Sequence, residues 1–279
     1  MRFNSGMNIK FYPNLQYIQS FSSKKPEIKK ADDIQRKTRT AFPFFSPSYA
    51  DDYYPSCSLM YKAPSDKKAV EHWDNLHRLD RMAARMVDIR RNRWENLRGR
   101  DNFTSKFLET YLDIKKYGLA NCEEAATTTL ASLLANGYKN SFKCSLRLNT
   151  GIYEKGSKDP KFVVKDLIDH ACVISTMDKN PKNKSEYYVL DSWCGFADSI
   201  HGAKARYKQL IDVKKFEKSK QKTINKFINQ YKDKYKNFDI NNFEVRQHIG
   251  FDIKEMADDL DNEAVKLLYK EMFPSLISE

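Results

Sequence analysis

The stretch GLANCEEAATTTLASLL (118–134) places a cysteine between a turn-like segment and a run of small and apolar residues. This run predicts a helix that begins at Cys122 and ends before Gly137. A thiol in the first turn of a helix lies among backbone N–H groups that have no intrahelical acceptor, and the helix dipole favours its thiolate. Cys122 is therefore either a small buried side chain or a nucleophile, and only the rest of the chain distinguishes the two.

Two acidic residues, Glu123 and Glu124, follow this cysteine directly. Negative charge suits the N-terminus of a helix but disfavours a neighbouring thiolate. A nucleophilic Cys122 therefore requires that both carboxylates point away from it or that a cation offsets them. The small residues at 125–127 allow the helix to pack closely against a sheet.

A cysteine nucleophile needs a base, and the base needs an orienting group. Of the five histidines, His72 and His77 lie in a basic helical segment, and His201 and His248 lie in segments that read as polar and helical. His170 differs because it begins the β-rich run HACVIS. His170 is therefore the candidate base.

Three segments have the composition or alternation of β-strands: FKCSLRLN (142–149), VVKDLIDHACVIST (163–176) and EYYVLDSW (186–193). The polar, proline-containing linker DKNPKN (178–183) between the last two predicts an antiparallel hairpin.

Pairing Ile174 with Tyr187 in this hairpin places His170 directly opposite Asp191. A shift of two residues would leave the two side chains diagonal but still neighbours. A carboxylate at the end of an apolar strand is costly unless it is compensated, and orienting His170 compensates it. Asp191 is therefore the candidate orienting group.

The remaining segments complete an α+β domain. Helices are predicted over 67–99 and 103–118, the Lys-rich stretch 201–238 reads as helical, and 251–273 reads as a closing helix. We expect residues 1–65 to form a largely irregular arm. Residues 66–279 then form one catalytic domain, with a core at about 104–200 and a C-terminal helical extension over 201–279.

Composition limits the class of protein. The 279 residues carry a net charge of +12, and no window approaches the ~20 apolar residues of a membrane span. The N-terminus lacks the apolar core of a secretory signal, so synthesis in the cytoplasm without a signal peptide is expected. The odd number of unpaired cysteines (57, 122, 144, 172 and 194) indicates free thiols in a reducing compartment.

The cysteine spacing disfavours a zinc site, because no C-x-x-C-like pair occurs. The proximity of His170 and Cys172 keeps a metal site open as an alternative. The prediction is that the protein uses neither a metal nor a cofactor.

The order of Cys, His and Asp in NCEEAA (121–126), DHACVI (169–174) and YYVLDSWCG (187–195) resembles the transglutaminase-like branch of the papain-type cysteine enzymes. The resemblance covers residues 117–196 and implies a nucleophile helix packed on an antiparallel sheet, with additional N- and C-terminal helices. It implies that Cys122 is the nucleophile, His170 the base and Asp191 the orienting group, and that Trp193 walls the site.

The chain departs from that family in two ways. Glu123 stands where the family commonly has Gly or Trp, and no glutamine lies in DIKKYGLANC upstream of the thiol. The backbone N–H groups of Cys122 and Asn121 are then the expected oxyanion donors. Cys172 and Cys194 flank the other two residues and remain alternative thiols, although no helix terminus activates them.

The resemblance implies attack on an amide of a protein substrate, with deamidation, proteolysis or transamidation as the outcome. Bacterial virulence effectors of this fold act on host proteins, so delivery into a host cytosol by a specialised secretion system is an expectation. The arginines of 78–100 form either a solvated face or a docking surface for an acidic protein or anionic lipid. The alternatives are a basic nucleic-acid-binding protein, although no nucleic acid is expected as a partner, and an inactive protein-binding scaffold. The oligomeric state is not determined by the sequence.

Overall fold

The computed structural model describes residues 25–41, 77–99, 102–178, 180–183, 186–211, 213–234, 238–257 and 259–276. These form a mixed helical and antiparallel β-sheet (α+β) architecture. The helices are α1 (Pro26–Ala41), α2 (His77–Asn96), α3 (Phe103–Tyr117), α4 (Cys122–Ala135), α5 (Ile200–Leu210), α6 (Val213–Tyr231) and α7 (Asp259–Met272). The strands are β1 (Asn140–Glu154), β2 (Pro160–Thr176), β3 (Tyr188–Asp191), β4 (Phe196–Ser199) and β5 (Phe243–Met256).

The five strands form one antiparallel sheet in the order β4-β3-β2-β1-β5. Successive residues of a strand point to opposite faces, and here the two faces carry separate cores. Val173 and Leu190 belong to the core under α1, α3, α4 and α7, whereas Cys172 and Val189 belong to the core under α5 and α6. The sheet is therefore covered on both faces.

Among the described helices, α4 is the most enclosed, since every residue from 124 to 135 is buried. Leu130, Leu133 and Leu134 fill its core contacts, and burying each such side chain contributes about 1.5–3 kcal/mol. The hydroxyl groups of Thr127 and Thr129 donate to the carbonyl oxygens of Glu123 and Ala125, at 3.0 and 2.8 Å, so their burial leaves no donor unpaired. Because many of its side chains are small and their hydroxyl groups are hydrogen-bonded within the helix, α4 can pack between the sheet and three other helices.

The predicted helices over 103–118 and from Cys122 are confirmed, and Gly118 ends α3 in the left-handed conformation that favours glycine. The described part of the 67–99 helix is α2, in which Met86 and Ile89 are buried as expected. The proposed start of that helix, at 67–76, lies outside the described residues.

The Lys-rich stretch is helical as predicted, in two helices, α5 and α6. Two expectations are corrected. Residues 26–41 of the proposed irregular arm form α1, whose Gln35 side chain donates to the carbonyl oxygen of Phe196 at 3.2 Å, while the rest of the arm, apart from Lys25, lies outside the described residues. Residues 251–256 of the proposed closing helix belong to β5, so the C-terminal extension contributes a strand that pairs along β1.

The hairpin of β2 and β3 is antiparallel as predicted, but its register differs. Ile174 pairs with Val189, two residues from the predicted partner Tyr187. His170 and Asp191 are consequently not a directly opposed pair. None of the helices within the described ranges is both long and apolar enough to cross a bilayer.

Candidate active site

A β-bulge in β2 positions His170. Ala171 pairs with Ser145 and Ile168 pairs with Leu146, so residues 169 and 170 have no partner on β1. A bulge bends its strand and turns a side chain away from the regular alternation. The ring of His170 lies between two aromatic rings, with centroid distances of 5.2 Å to Trp193 and 5.6 Å to Tyr207.

Asp191 ends β3 and is fully enclosed by hydrogen-bond donors. Its Oδ2 atom lies 2.6 Å from Nε2 of His170 and accepts a hydrogen bond of 2.7 Å from the hydroxyl of Tyr207. Its Oδ1 atom accepts from the backbone N–H of Cys194 at 2.8 Å. Burial by itself raises the pKa of this carboxyl, but the charge of His170 and these hydrogen bonds outweigh it and hold the pKa below its ordinary value. Asp191 is therefore ionised.

The imidazole of His170 favours its charged form. Burial opposes that charge, but the Asp191 carboxylate, the Cys194 sulfur and hydrogen bonding to Asp191 and Cys122 together raise the pKa of His170 well above 6.5. Because Nε2 faces Asp191, Nδ1 is left free to act on another group. Among the described residues, no group forms a well-aligned hydrogen bond with Nδ1, although the Cys122 thiol is near enough to contribute to the raised pKa of His170.

Cys122 is the first residue of α4 and is partly buried. Its side chain packs against the core cluster that contains Trp193, and the side chain of Cys194 packs against the same cluster. Its thiol is also close enough to His170 to help raise the pKa of that imidazole. The structure thus brings the three predicted site residues, Cys122, His170 and Asp191, into one cluster.

Cations offset both glutamates that follow Cys122. The buried carboxylate of Glu124 receives two hydrogen bonds from Arg90, Nε to Oε1 at 2.9 Å and Nη2 to Oε2 at 2.8 Å, and one from Arg93 at 3.1 Å. Glu123 is paired with the Nζ atom of Lys143 at 2.8 Å. The requirement that the sequence imposed on a nucleophilic thiol is therefore met by ion pairs.

The charge of Arg90 reaches the thiol as well as the carboxylate. Burial lowers the pKa of this guanidinium, but Glu124 and, to a smaller extent, Cys122 and Glu123 outweigh burial and raise it above its ordinary value.

The other two predicted site residues have different surroundings. The backbone N–H of Asn121 donates to Oε2 of Glu124 at 2.9 Å, so that group is already engaged and does not face a substrate. The backbone N–H of Cys122, in the first turn, remains the candidate oxyanion donor. Trp193 is buried and its ring contacts His170, which places it at the predicted wall of the cluster.

The alternative thiols are less suited to attack. Burial, followed by the charge of Asp191, raises the pKa of Cys194 to about 12, and the same two effects raise that of Cys172. Cys194 does approach the base, since its Sγ atom lies 3.9 Å from Nε2 of His170. That nitrogen, however, is the one bonded to Asp191.

A metal site at this cluster has the right atom types but not the right spacing. Among the described residues, His170, Asp191 and Cys194 offer three ligand atoms that lie within 4.8 Å of one another. Two donors on a tetrahedral Zn²⁺, each about 2.0 Å from the metal, would lie about 3.3 Å apart. The imidazole and carboxylate atoms are 2.6 Å apart, which is a hydrogen bond. The cluster fits a bonded pair better than an ion-binding set.

Sequence reasoning missed Tyr207 and the two arginines that hold Glu124. Tyr207 lies on α5 and reaches the site only because that helix packs beside β3 and β4. Arg90 and Arg93 stand three residues apart, the spacing that puts two side chains on one helix face, but nothing local identifies Glu124 as their partner.

No family model, curated protein or solved structure matches the chain. The papain-like core therefore remains a prediction.

Proposed function

We propose that the protein is a cysteine-dependent acyl-transfer enzyme that attacks an amide of a protein substrate. Cys122 is the nucleophile, His170 the base and Asp191 the orienting group. The observation that carries the proposal is the bond of 2.6 Å between Nε2 of His170 and Oδ2 of Asp191, which leaves Nδ1 free beside a thiol at a helix N-terminus. An imidazole held in this way has one nitrogen to orient it and one to move a proton.

The first half-reaction forms a thioester. When His170 is neutral, with its single proton on Nε2 toward Asp191, the thiol of Cys122 gives its proton to Nδ1. The sulfur then attacks the amide carbon and moves the carbonyl electron pair onto oxygen. The backbone N–H of Cys122 and the positive end of α4 stabilise that oxygen. Collapse of the intermediate breaks the C–N bond, and the imidazolium gives its proton to the departing amine.

The second half-reaction determines the product. Water, losing a proton to Nδ1, hydrolyses the thioester and regenerates the thiol. The result is deamidation when the amide is a glutamine side chain and proteolysis when it is a peptide bond, while an amine in place of water gives transamidation. Formation of the thioester and transfer of its acyl group are common to all three outcomes.

Thiol reactivity tests the nucleophile. Iodoacetamide at near-neutral pH, followed by peptide mass spectrometry, is expected to label Cys122 faster than Cys194 and Cys172, whose pKa values are raised. In His170→Ala, labelling of Cys122 is expected to slow to the rate of an ordinary exposed thiol. Labelling of Cys194 ahead of Cys122 would contradict the assignment.

Reaction with proteins tests the chemistry. Cell extracts incubated with wild type and with Cys122→Ala are compared by peptide mass spectrometry. The expected result is a set of deamidated, cleaved or cross-linked peptides that appears with wild type and with the control Cys194→Ser but not with Cys122→Ala. Products that persist in Cys122→Ala would refute the proposal.

A further inference from the structure

Positive charge is concentrated in one part of the chain, and it lies on side chains that the proposed activity does not use. Residues 200–234, which include α5 and α6, carry eleven lysine and arginine residues but three acidic ones, a net charge of +8 out of the chain's +12. The candidate active site takes none of these cations. The proposed activity therefore does not explain why these lysine and arginine residues are grouped together.

Four lysines of α6, each four residues from the next, form a row inclined to the helix axis, which we call the lysine row: Lys214, Lys218, Lys222 and Lys226. All four are exposed. Residues four apart lie on the same helix face, so the row extends for about 18 Å at 1.5 Å per residue. Phe216 and Phe227 of the same helix are buried, and they hold the helix on the sheet.

The lysine row does not help α6 to fold. Like charges at this spacing repel one another and destabilise a helix by a few tenths of a kcal/mol per pair. Lys214 also lies at the positive end of the helix dipole, in a first turn that has no acidic residue. Lys222 pairs with Asp166 of β2, and the charge of Lys226 also acts on that carboxylate. An arrangement that costs folding energy indicates an external anionic partner.

The chemistry of the lysine row favours a lipid surface over other anions. The helix α6 contains no arginine, which is the residue that protein interfaces and base recognition prefer, and its Phe side chains are buried and unavailable for stacking on bases. Diffuse attraction of exposed lysines is what an anionic bilayer requires. Val213, 68% exposed, begins the same helix beside Lys214 and offers an apolar side chain to the headgroup region.

We propose that the lysine row of α6, together with Val213, docks the protein on membranes that contain anionic phospholipid. Because α6 and α4 pack on opposite faces of the sheet, docking through α6 leaves the α4 face uncovered. Membrane docking through α6 does not require the acyl-transfer chemistry. Cys122→Ala is therefore expected to bind membranes as the wild type does.

Sedimentation with vesicles tests the docking surface. Wild type is expected to bind vesicles of equal parts phosphatidylcholine and phosphatidylserine, to bind phosphatidylcholine alone far less, and to be released by added salt. The variant Lys218→Gln/Lys226→Gln removes two charges of the row without touching the pair with Asp166. At about 1 kcal/mol for each lysine, its affinity for the anionic vesicles is expected to fall about 30-fold.

The matched control is Lys266→Gln/Lys270→Gln, which removes two exposed lysines from α7 on the other face of the sheet. Its affinity is expected to stay within a few-fold of wild type. Equal losses in the two variants would overturn the proposal, because they would mean that net charge alone drives binding. Failure of wild type to bind the anionic vesicles would also overturn the proposal. So would a row variant that binds the vesicles as wild type does but no longer binds an RNA or DNA oligonucleotide.

Discussion

The guanidinium of Arg90, on α2, holds both carboxylate oxygens of Glu124, which lies in the first turn of α4. Glu124 has no solvent exposure, and its Oε2 atom also accepts the N–H of Asn121, the residue before the helix. One carboxylate therefore caps the helix that begins at Cys122 and ties it to α2. The same arginine also interacts electrostatically with the side chain of Cys122.

Arg90→Ala is expected to destabilise the fold by about 1.5–3 kcal/mol, because it removes two hydrogen-bond donors from the buried Glu124 carboxylate while Arg93 retains a third. The measurement is urea unfolding of the variant against wild type. Arg91→Ala is the control, since Arg91 is exposed and pairs with Asp88 at the surface, and its effect is expected within about 0.5 kcal/mol. Equal stability of the two variants would contradict the role assigned to Arg90.

Glu124 is expected to make stability depend on acid pH. Burial raises its pKa, but Arg90 and Arg93 outweigh burial and lower it from 4.5 to about 2. A carboxyl whose pKa is depressed by folding stabilises the protein above its unfolded pKa, and this contribution disappears as the pH falls from about 4.5 to about 2. The size of the contribution is on the order of 3 kcal/mol.

Unfolding measured across that pH window in wild type and Glu124→Gln checks this expectation. The variant, which has no titrating group at 124, should be less stable at neutral pH and should lose less stability on acidification. Parallel pH profiles for the two proteins would refute it.

Asp191→Asn is expected to lower the pKa of His170, because it removes the charge that outweighs burial. In wild type, the charged His170 stabilises the fold below pH 6.5, and that stabilisation is lost as the pH rises through the higher folded pKa. NMR titration of the imidazole protons measures the shift. The control is Asp198→Asn, whose carboxylate pairs with Arg206, and it should leave the titration of His170 unchanged.

Tyr207→Phe is expected to cost about 1.5–3 kcal/mol, the usual contribution of a hydrogen bond to a charged group, because its hydroxyl donates to Asp191. The ring, which packs against His170, is retained, so the loss reports the hydroxyl alone. Iodoacetamide labelling of Cys122 is expected to slow severalfold in the same variant. Tyr117→Phe, a partly exposed ring on α3, is the control, and an equal effect there would exclude a specific role for Tyr207.

Local patterns predicted the elements that carry the candidate site. The composition of 118–134 predicted a helix beginning at Cys122, and alternation in 142–149 predicted part of β1. The same reasoning failed for β5. Exposed and polar residues such as Arg246 and Lys254 obscure the alternation of this strand, so the sequence predicted a helix over residues 251–256. The spacing of apolar residues and the composition predict the secondary structure of a short segment. The prediction is correct where one face of that segment is clearly apolar.

The sequence by itself determined which residues are candidates: a thiol at a helix start, one histidine in a β-rich segment and one carboxylate at the end of an apolar strand. The tertiary structure decided how they meet. The bulge at residues 169–170 and the shifted pairing of β3 set the contact between His170 and Asp191, and Arg90 reaches Glu124 across 34 positions of sequence. Strand register and long-range ion pairs depend on how whole elements pack, and no periodicity within a single segment encodes them.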